Sequence, residues 1–366
     1  MKKYLHLTEN LLADIKAGRI TPGDQLPTEQ QLVDQYGFSR ITVRAALNEL
    51  ASRGMIRRTP GRGTFYIGEQ ITEKTKKEKR TVALIILHSV SELIHIAEGI
   101  EHVTVQADIN VTMYITNGNP DREVEICKKA VADGTDGIII FPTNENSNHD
   151  YFFDLVSKRF PIIFIDRSPL RNCNIIQSNG EEGAYAMTDF LIRKGNTRIA
   201  YITSFDYTTT RERFQGFLYC MQRHGLPVRK EYIAALKKTF MTISDDAAPI
   251  RNAVDRFLRL DDPPTAIMCS NDIIALHTIN CLRSAGRANI SVTGFDNANY
   301  SSKNIYSITT VEQDFYEIGK LAAQTILGLF EEPTKALSRI KTPVKIIERG
   351  STSVSCGTAE ETARNT

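Results

Sequence analysis

Apolar and polar positions alternate along this chain with two different rhythms. Between residues 28 and 54 apolar side chains recur at helical spacing in two short runs, and Val43, Leu47 and Leu50 fall on one stripe. Thr28 and Gln31 have the spacing of a capping box. Pro27 keeps Leu26 out of the helical region. The first helix is predicted over residues 28–36, stopped by Gly37; Ser39 is an N-cap for the second, which Gly54 ends. Residues 55–58 and 64–67 then read as two short strands joined through Gly61-Arg62-Gly63.

Beyond residue 80 the rhythm changes to strand–helix alternation. Buried-strand runs are predicted at 82–87, 111–115, 137–141, 161–165, 198–203, 265–269 and 292–295. Helical segments are predicted at 92–107, 122–132, 181–194, 211–224, 247–260 and 273–285. This order argues for parallel βαβ units. The elements are too many for one doubly wound sheet. Two sheets flanking a cleft are expected, with ligands at the carboxyl ends of the strands.

The first region has the outline of a winged helix-turn-helix, which places one helix in a DNA major groove. Arg40 and Arg44 stand four apart on a face separate from the apolar stripe, and Thr42 lies in the first turn. Guanidinium groups there can pair with guanine edges or phosphates, or be ordinary solvated charge. Charge separates the regions: residues 1–80 carry 15 basic and 9 acidic side chains, a balance of +6 within a total of +2. The basic footprint of nucleic-acid binding therefore lies at the N-terminal end.

Other features narrow the class. The apolar runs are too short to cross a membrane. Glu9 and Asp14 interrupt any signal-peptide core, so a cytoplasmic location is expected. Six cysteines lie at 127, 173, 220, 269, 281 and 356 without a CxxC pair, and read as reduced thiols. The seven histidines show no ligand pattern, and neither metal nor cofactor is expected. There is no P-loop, dinucleotide fingerprint or nucleophile elbow, so the chain is not read as an enzyme. The charged stretch 69–80 reads as a linker between a head at 1–68 and a domain at 81–356; the small polar residues 357–366 read as a disordered tail.

Several strands of the second region end in polar residues. Asp166-Arg167 follows Ile165, Ser270-Asn271-Asp272 follows Cys269, and Asp296-Asn297 follows Phe295. Arg211 and Arg213 stand at a helix start after Thr208-Thr209-Thr210. Such groups can converge on a small hydroxyl-rich molecule. Each also has a plain structural role: an ion pair for Asp166 with Arg167, a helix cap for Asn271, a turn for Asp296.

Two resemblances follow. Pro22-Gly23-Asp24, Leu26-Pro27-Thr28-Glu29, the run from Ser39 to Arg44, and the GRGT of residues 61–64 resemble the head of the gluconate-repressor (GntR) family of bacterial regulators. The segments DGIIIFP (136–142), FIDR (164–167), RFQGF (213–217), PPTAIMCSNDIIAL (263–276), SVTGFDN (291–297) and TTVEQD (309–314) resemble the effector domain of the LacI/GalR family. The loop at Arg287-Ala288-Asn289 is shorter than usual there and lacks the family's proline. The implied architecture is an α/β chain with an N-terminal winged helix-turn-helix and a two-lobed, periplasmic-binding-protein-like effector domain. By resemblance, Ser39, Arg40, Thr42 and Arg44 contact DNA, supported by Gln30, Gly61, Arg62 and Gly63. Asp166, Arg213, Asn271 and Asp296 hold the effector, joined by Gln313 and Phe315. The pairing of these two domain types is similar to the arabinose-repressor family. It implies a homodimeric repressor released from double-stranded DNA by a sugar such as L-arabinose. A purine or sugar phosphate as effector, and activation in place of repression, stay open at this point.

Overall fold

The computed structural model describes residues 3–52, 55–59, 62–67, 79–88, 91–237, 246–302, 307–334 and 336–352. Gly54, Gly61, most of the expected linker and the expected tail lie outside the described residues. The chain forms two compact units, Met1–Lys79 and Arg80–Thr366.

The first unit contains α1 (Lys3–Lys16), α2 (Glu29–Tyr36), α3 (Arg40–Ser52), β1 (Ile56–Thr59) and β2 (Gly63–Tyr66). Thr28 and Gln31 form the capping box, and Gly37 ends α2 at φ 70°. Ser39 Oγ accepts from Thr42 N at 3.3 Å at the start of α3. Val43, Leu47 and Leu50 are buried with Leu32 of α2 and with Leu7 and Leu11 of α1. The wing strands pair antiparallel, Ile56 against Tyr66 and Thr59 against Gly63. The first strand thus starts one residue later than its sequence pattern suggests, and the second one residue earlier.

The second unit continues with β3 (Thr81–Ile86), α4 (Ser91–Thr104), β4 (Asn110–Ile115), α5 (Pro120–Ala132), β5 (Gly137–Ile140), α6 (His149–Ser157), β6 (Ile162–Ile165) and β7 (Ile175–Ser178). There follow α7 (Gly180–Arg193), β8 (Ile199–Ser204), α8 (Thr208–Arg223), β9 (Ile233–Leu236), α9 (Ala248–Leu258), β10 (Ala266–Cys269), α10 (Asp272–Ser284), β11 (Ser291–Thr293) and β12 (Thr310–Gln313). The C-terminal elements are α11 (Phe315–Glu331), β13 (Arg339–Thr342) and β14 (Val344–Ile347).

Among the described residues, these strands make a parallel sheet of order β13-β7-β6-β5-β3-β4, a second of order β11-β10-β8-β9, and an antiparallel β12-β14 pair. The first sheet and the helices α4, α5, α6 and α11 form one lobe, with a core on each face. The second sheet, α7 to α10 and the β12-β14 pair form the other. The inner strands of both sheets, such as β3, β5, β6, β8 and β10, are largely apolar and buried because helices cover both faces.

The chain crosses between lobes three times, after β7, after β12 and after β13. Each crossing has a single residue outside regular structure: Asn179, Asp314 and Pro343. Asn179 and Asp314 are also N-caps, accepting from Glu182 N at 3.4 Å and from Glu317 N at 2.9 Å.

Candidate functional site

The exposed face of α3 carries Arg40 and Arg44, and Ile41 beside Arg40 is 82% exposed. Each arginine is steered by a side chain of α2. Arg40 Nη2 donates to Gln30 Oε1 at 2.8 Å, and Arg44 Nε pairs with Glu29 at 3.2 Å. Ser39 and Thr42 hydroxyls share a hydrogen bond at 2.9 Å. Such exposed pairs contribute little to stability and are readily exchanged for phosphate or base contacts. In the wing, the Arg62 carbonyl accepts from Gln25 Nε2 at 3.0 Å while its side chain is exposed. Gly63 has φ 109°, a conformation that favours glycine. Gln25, and the pairing of Glu29 with Arg44, do not emerge from the sequence, because the partners are too distant along the chain for local pattern to show.

The polar cluster of the second unit is built from strand ends and the start of α8. Arg213, on the first turns of α8, donates from Nη1 to the Ser270 carbonyl at 2.6 Å and pairs with Asp296 Oδ1 at 3.2 Å. Its guanidinium lies 3.7 Å over the Phe295 ring. Gln313 Nε2 donates to the same Asp296 oxygen at 2.7 Å. Asn271 caps α10, accepting from Ile274 N at 2.9 Å, directly after the Ser270 carbonyl that Arg213 engages. Arg213, Asp296, Gln313 and Asn271 therefore gather on one lobe.

Asp166 stands on the other lobe, at φ 65° after β6. It is held by its neighbour: Arg167 Nη2 lies 2.9 Å from Asp166 Oδ2, both side chains buried. Arg167 in turn lies 3.8 Å over the Tyr207 ring of the second lobe and 4.9 Å over Phe141 of its own. Phe315 departs from its expected role. Its ring is 9% exposed and packs in the apolar core of the first lobe, so it is not part of the polar cluster.

Several buried polar atoms at the strand ends have no protein partner: Arg167 Nη1, Arg213 Nε, Ser178 Oγ and Ser270 Oγ. A buried donor without an acceptor is costly, and an alternation of hydroxyl groups on a ligand would satisfy these.

The lobes also touch directly. Glu145 is buried and accepts from Thr208 N at 2.9 Å, Thr208 Oγ1 at 2.8 Å and Arg211 Nη2 at 3.0 Å. Glu145 sits on a loop organised by the fully buried Glu123, which accepts from Thr143 Oγ1 at 2.7 Å and Asn148 Nδ2 at 2.9 Å. Glu212 of α8 takes Lys341 at 3.0 Å and Gln177 at 3.3 Å from the first lobe.

Beneath the cluster, Asp272 is entirely buried. It accepts from Ala298 N at 2.8 Å, from Thr310 Oγ1 at 2.6 Å and from the Ser301 hydroxyl. Burial, and then the nearby negative charge of Asp296, push its carboxyl up to about 7.

Comparison with known proteins agrees with this geometry. Residues 3–65 match the gntR family of bacterial regulatory proteins, and residues 188–352 the periplasmic binding protein-like domain family. The arabinose metabolism transcriptional repressor of Geobacillus stearothermophilus is 29% identical over 342 residues, 91% of this chain and 92% of that protein. The protein of the same description from Halalkalibacterium halodurans is 26% identical, over 91% of this chain and 90% of its own. A LacI-family regulatory protein from Chloroflexus aggregans shares the fold of the second unit, with TM-score 0.65 at 21% identity, over 74% of this chain and 98% of that one. No helix among the described residues is long and apolar enough to cross a membrane. The chain thus joins a gntR-type DNA-binding head to a periplasmic binding protein-like effector domain, the architecture of a transcriptional repressor, and is similar along nine-tenths of its length to arabinose metabolism repressors.

Proposed function

We propose that this protein is a cytoplasmic, non-enzymatic repressor that leaves its operator when L-arabinose occupies the cleft between the lobes of the second unit. The observation that carries the effector reading is the charge balance of the candidate cluster. Arg213 faces Asp296 and Arg167 faces Asp166, so each guanidinium already has a carboxylate partner. A phosphate would find no surplus cation in these pairs. A neutral polyol suits them, since its hydroxyls donate to the carboxylates and accept from the orphaned Arg167 Nη1 and Arg213 Nε. The similarity to arabinose metabolism repressors favours the pentose.

Head, linker, effector domain and tail are taken as 1–68, 69–80, 81–356 and 357–366. The α3 face with Ser39, Arg40, Thr42 and Arg44 is assigned to the major groove, aided by Gln30 and by the wing residues Gly61, Arg62 and Gly63. Release requires that the sugar bind one arrangement of the lobes more tightly than another. Two heads reading a near-palindrome require a homodimer. We place its contact at residues 91–100 and the strands beside them, through their outward side chains, since Leu93, Ile96 and Ile100 are buried in the lobe's own core. Outward apolar side chains of this region include Ile94, Val111 and Met113. A mobility-shift assay on DNA flanking the protein's own gene, with and without L-arabinose, tests the whole reading. Retention of the shifted band at saturating sugar removes arabinose as the releasing effector.

A further inference from the structure

The helices α7 and α8 run side by side in the same direction, both starting at the cleft. Gly216 sets how closely they approach: a Cβ there would lie 2.0 Å from the Glu181 carbonyl oxygen and 3.0 Å from Tyr185 N. One to two turns further along, this packing places Asp189 beside Cys220 and His224. The donor atoms of these three residues all lie within 4.8 Å of one another. Cys220 lies on α8 and His224 is its C-cap, four residues on, so the two share a face. The sequence reading found no ligand pattern among the histidines because the third member is 35 positions from His224.

We propose that Asp189, Cys220 and His224 form a binding site for a zinc-class divalent ion. The donor set of one thiolate, one imidazole and one carboxylate is the mixture that borderline-soft ions take, and three protein ligands leave a fourth tetrahedral position to water. The carboxylate is already oriented for this role. Arg193 Nη2 holds Asp189 Oδ2 at 2.8 Å, leaving Oδ1 toward His224 Nε2, also at 2.8 Å. The ion would replace the His224–Asp189 hydrogen bond and keep the Arg193 contact as its outer support. Separations below 4.8 Å need only small side-chain rotations to reach metal-bond distances. A thiol binds such an ion as its thiolate, so binding must release the Cys220 proton to solvent. Affinity therefore rises with pH. From the rise per residue of a helix, the site sits about 10 Å (Cys220) to about 16 Å (His224) along from Arg213, separate from the effector cluster. A bound ion would fasten the far ends of the two helices whose near ends carry the effector cluster.

The test is titration of the reduced full chain with cobalt(II) alone, followed by zinc(II). The expected result is one equivalent of cobalt giving a near-ultraviolet thiolate charge-transfer band, displaced by zinc, with apparent affinity rising from pH 6.5 to 8. Cys220→Ala should remove the band. His224→Gln, on a partly exposed side chain, should weaken cobalt affinity by more than the roughly 10–100-fold that loss of an outer partner costs. Operator binding by both variants reports that they are folded. No thiolate band in the parent, a band that survives in Cys220→Ala, or unchanged affinity in His224→Gln each overturns the proposal.

Discussion

The carboxylate of Glu145, carried by the first lobe, caps the helix that begins at Thr208 in the second. That helix has Tyr207 at its N-cap position, with no side-chain cap of its own. Glu145 supplies the missing acceptor, at 2.9 Å from Thr208 N, from across the cleft. Loss of a cap costs about 0.5–2 kcal/mol, here borne by whichever arrangement of the lobes makes this contact. Glu145→Ala is expected to weaken L-arabinose binding by roughly 2–30-fold while leaving operator affinity intact. Calorimetric titration of the sugar into parent and variant decides it; equal affinities would mean that this contact does not favour the bound form.

Recognition of DNA should fail selectively when the α3 arginines are cut back. Arg44→Ala and Arg40→Ala leave the core untouched, since both side chains are exposed. A lost base contact should remove roughly 1–3 kcal/mol of discrimination, whereas a lost phosphate contact should weaken all sequences alike. Competition with scrambled operator separates the two outcomes, and unchanged affinity in both variants would remove α3 as the reading helix.

Asp296 receives both Arg213 and Gln313, so Asp296→Asn should disturb the effector cluster with little change in volume. The variant, like Arg213→Ala, should bind operator and no longer release it on addition of L-arabinose. Parent-like release by both would place the sugar elsewhere.

Stability should depend on pH through Asp272. Below about 4 the carboxyl is protonated whether the chain is folded or not. Between there and about 7 the folded protein keeps a proton that the unfolded chain has lost. Stability from this group therefore falls as pH rises through that window and levels off above about 7. Asp296→Asn removes a neighbouring negative charge and should lower the Asp272 pKa. The drop in urea midpoint between pH 5 and 8, followed by circular dichroism, should be smaller in that variant; an equal drop would exclude Asp296 as a source of the shift.

Assembly offers a fifth measurement. Met113 is 51% exposed on β4, near the outward Ile94 and Val111. Met113→Glu should shift a homodimer toward monomer in sedimentation at micromolar concentration. A dimer of undiminished stability would move the contact to another surface.

Local signals carried much of the architecture. The caps at Thr28 and Ser39 and the stripe of Val43, Leu47 and Leu50 describe α2 and α3 because all their partners are near in sequence. The βαβ rhythm likewise gives most of both lobes. The start of α8 was expected after Thr210 and lies at Thr208, because its cap comes from Glu145, 63 positions away. The N-terminal α1, with Leu7 and Leu11 one turn apart, escaped notice, as did the short α6, β7 and β9. The largest omission is the final return of the chain, β12 to β14. Its strands are four residues each, and their meaning lies in which sheet they join. Of the candidate effector residues, Arg213, Asp296, Gln313 and Asn271 meet in space. Phe315 does not, since an aromatic ring at the start of an apolar helix is drawn into the core.

The three single-residue crossings have a mechanical consequence. Asn179, Asp314 and Pro343 join two stiff bodies at three points, which suppresses sliding and leaves rocking about a common axis as the soft motion. A molecule that acted through these joints would send its message chiefly as one number, an angle. The pocket can thus be rebuilt for a different molecule without rewiring the output, because chemistry on one side of the axis and geometry on the other are read independently.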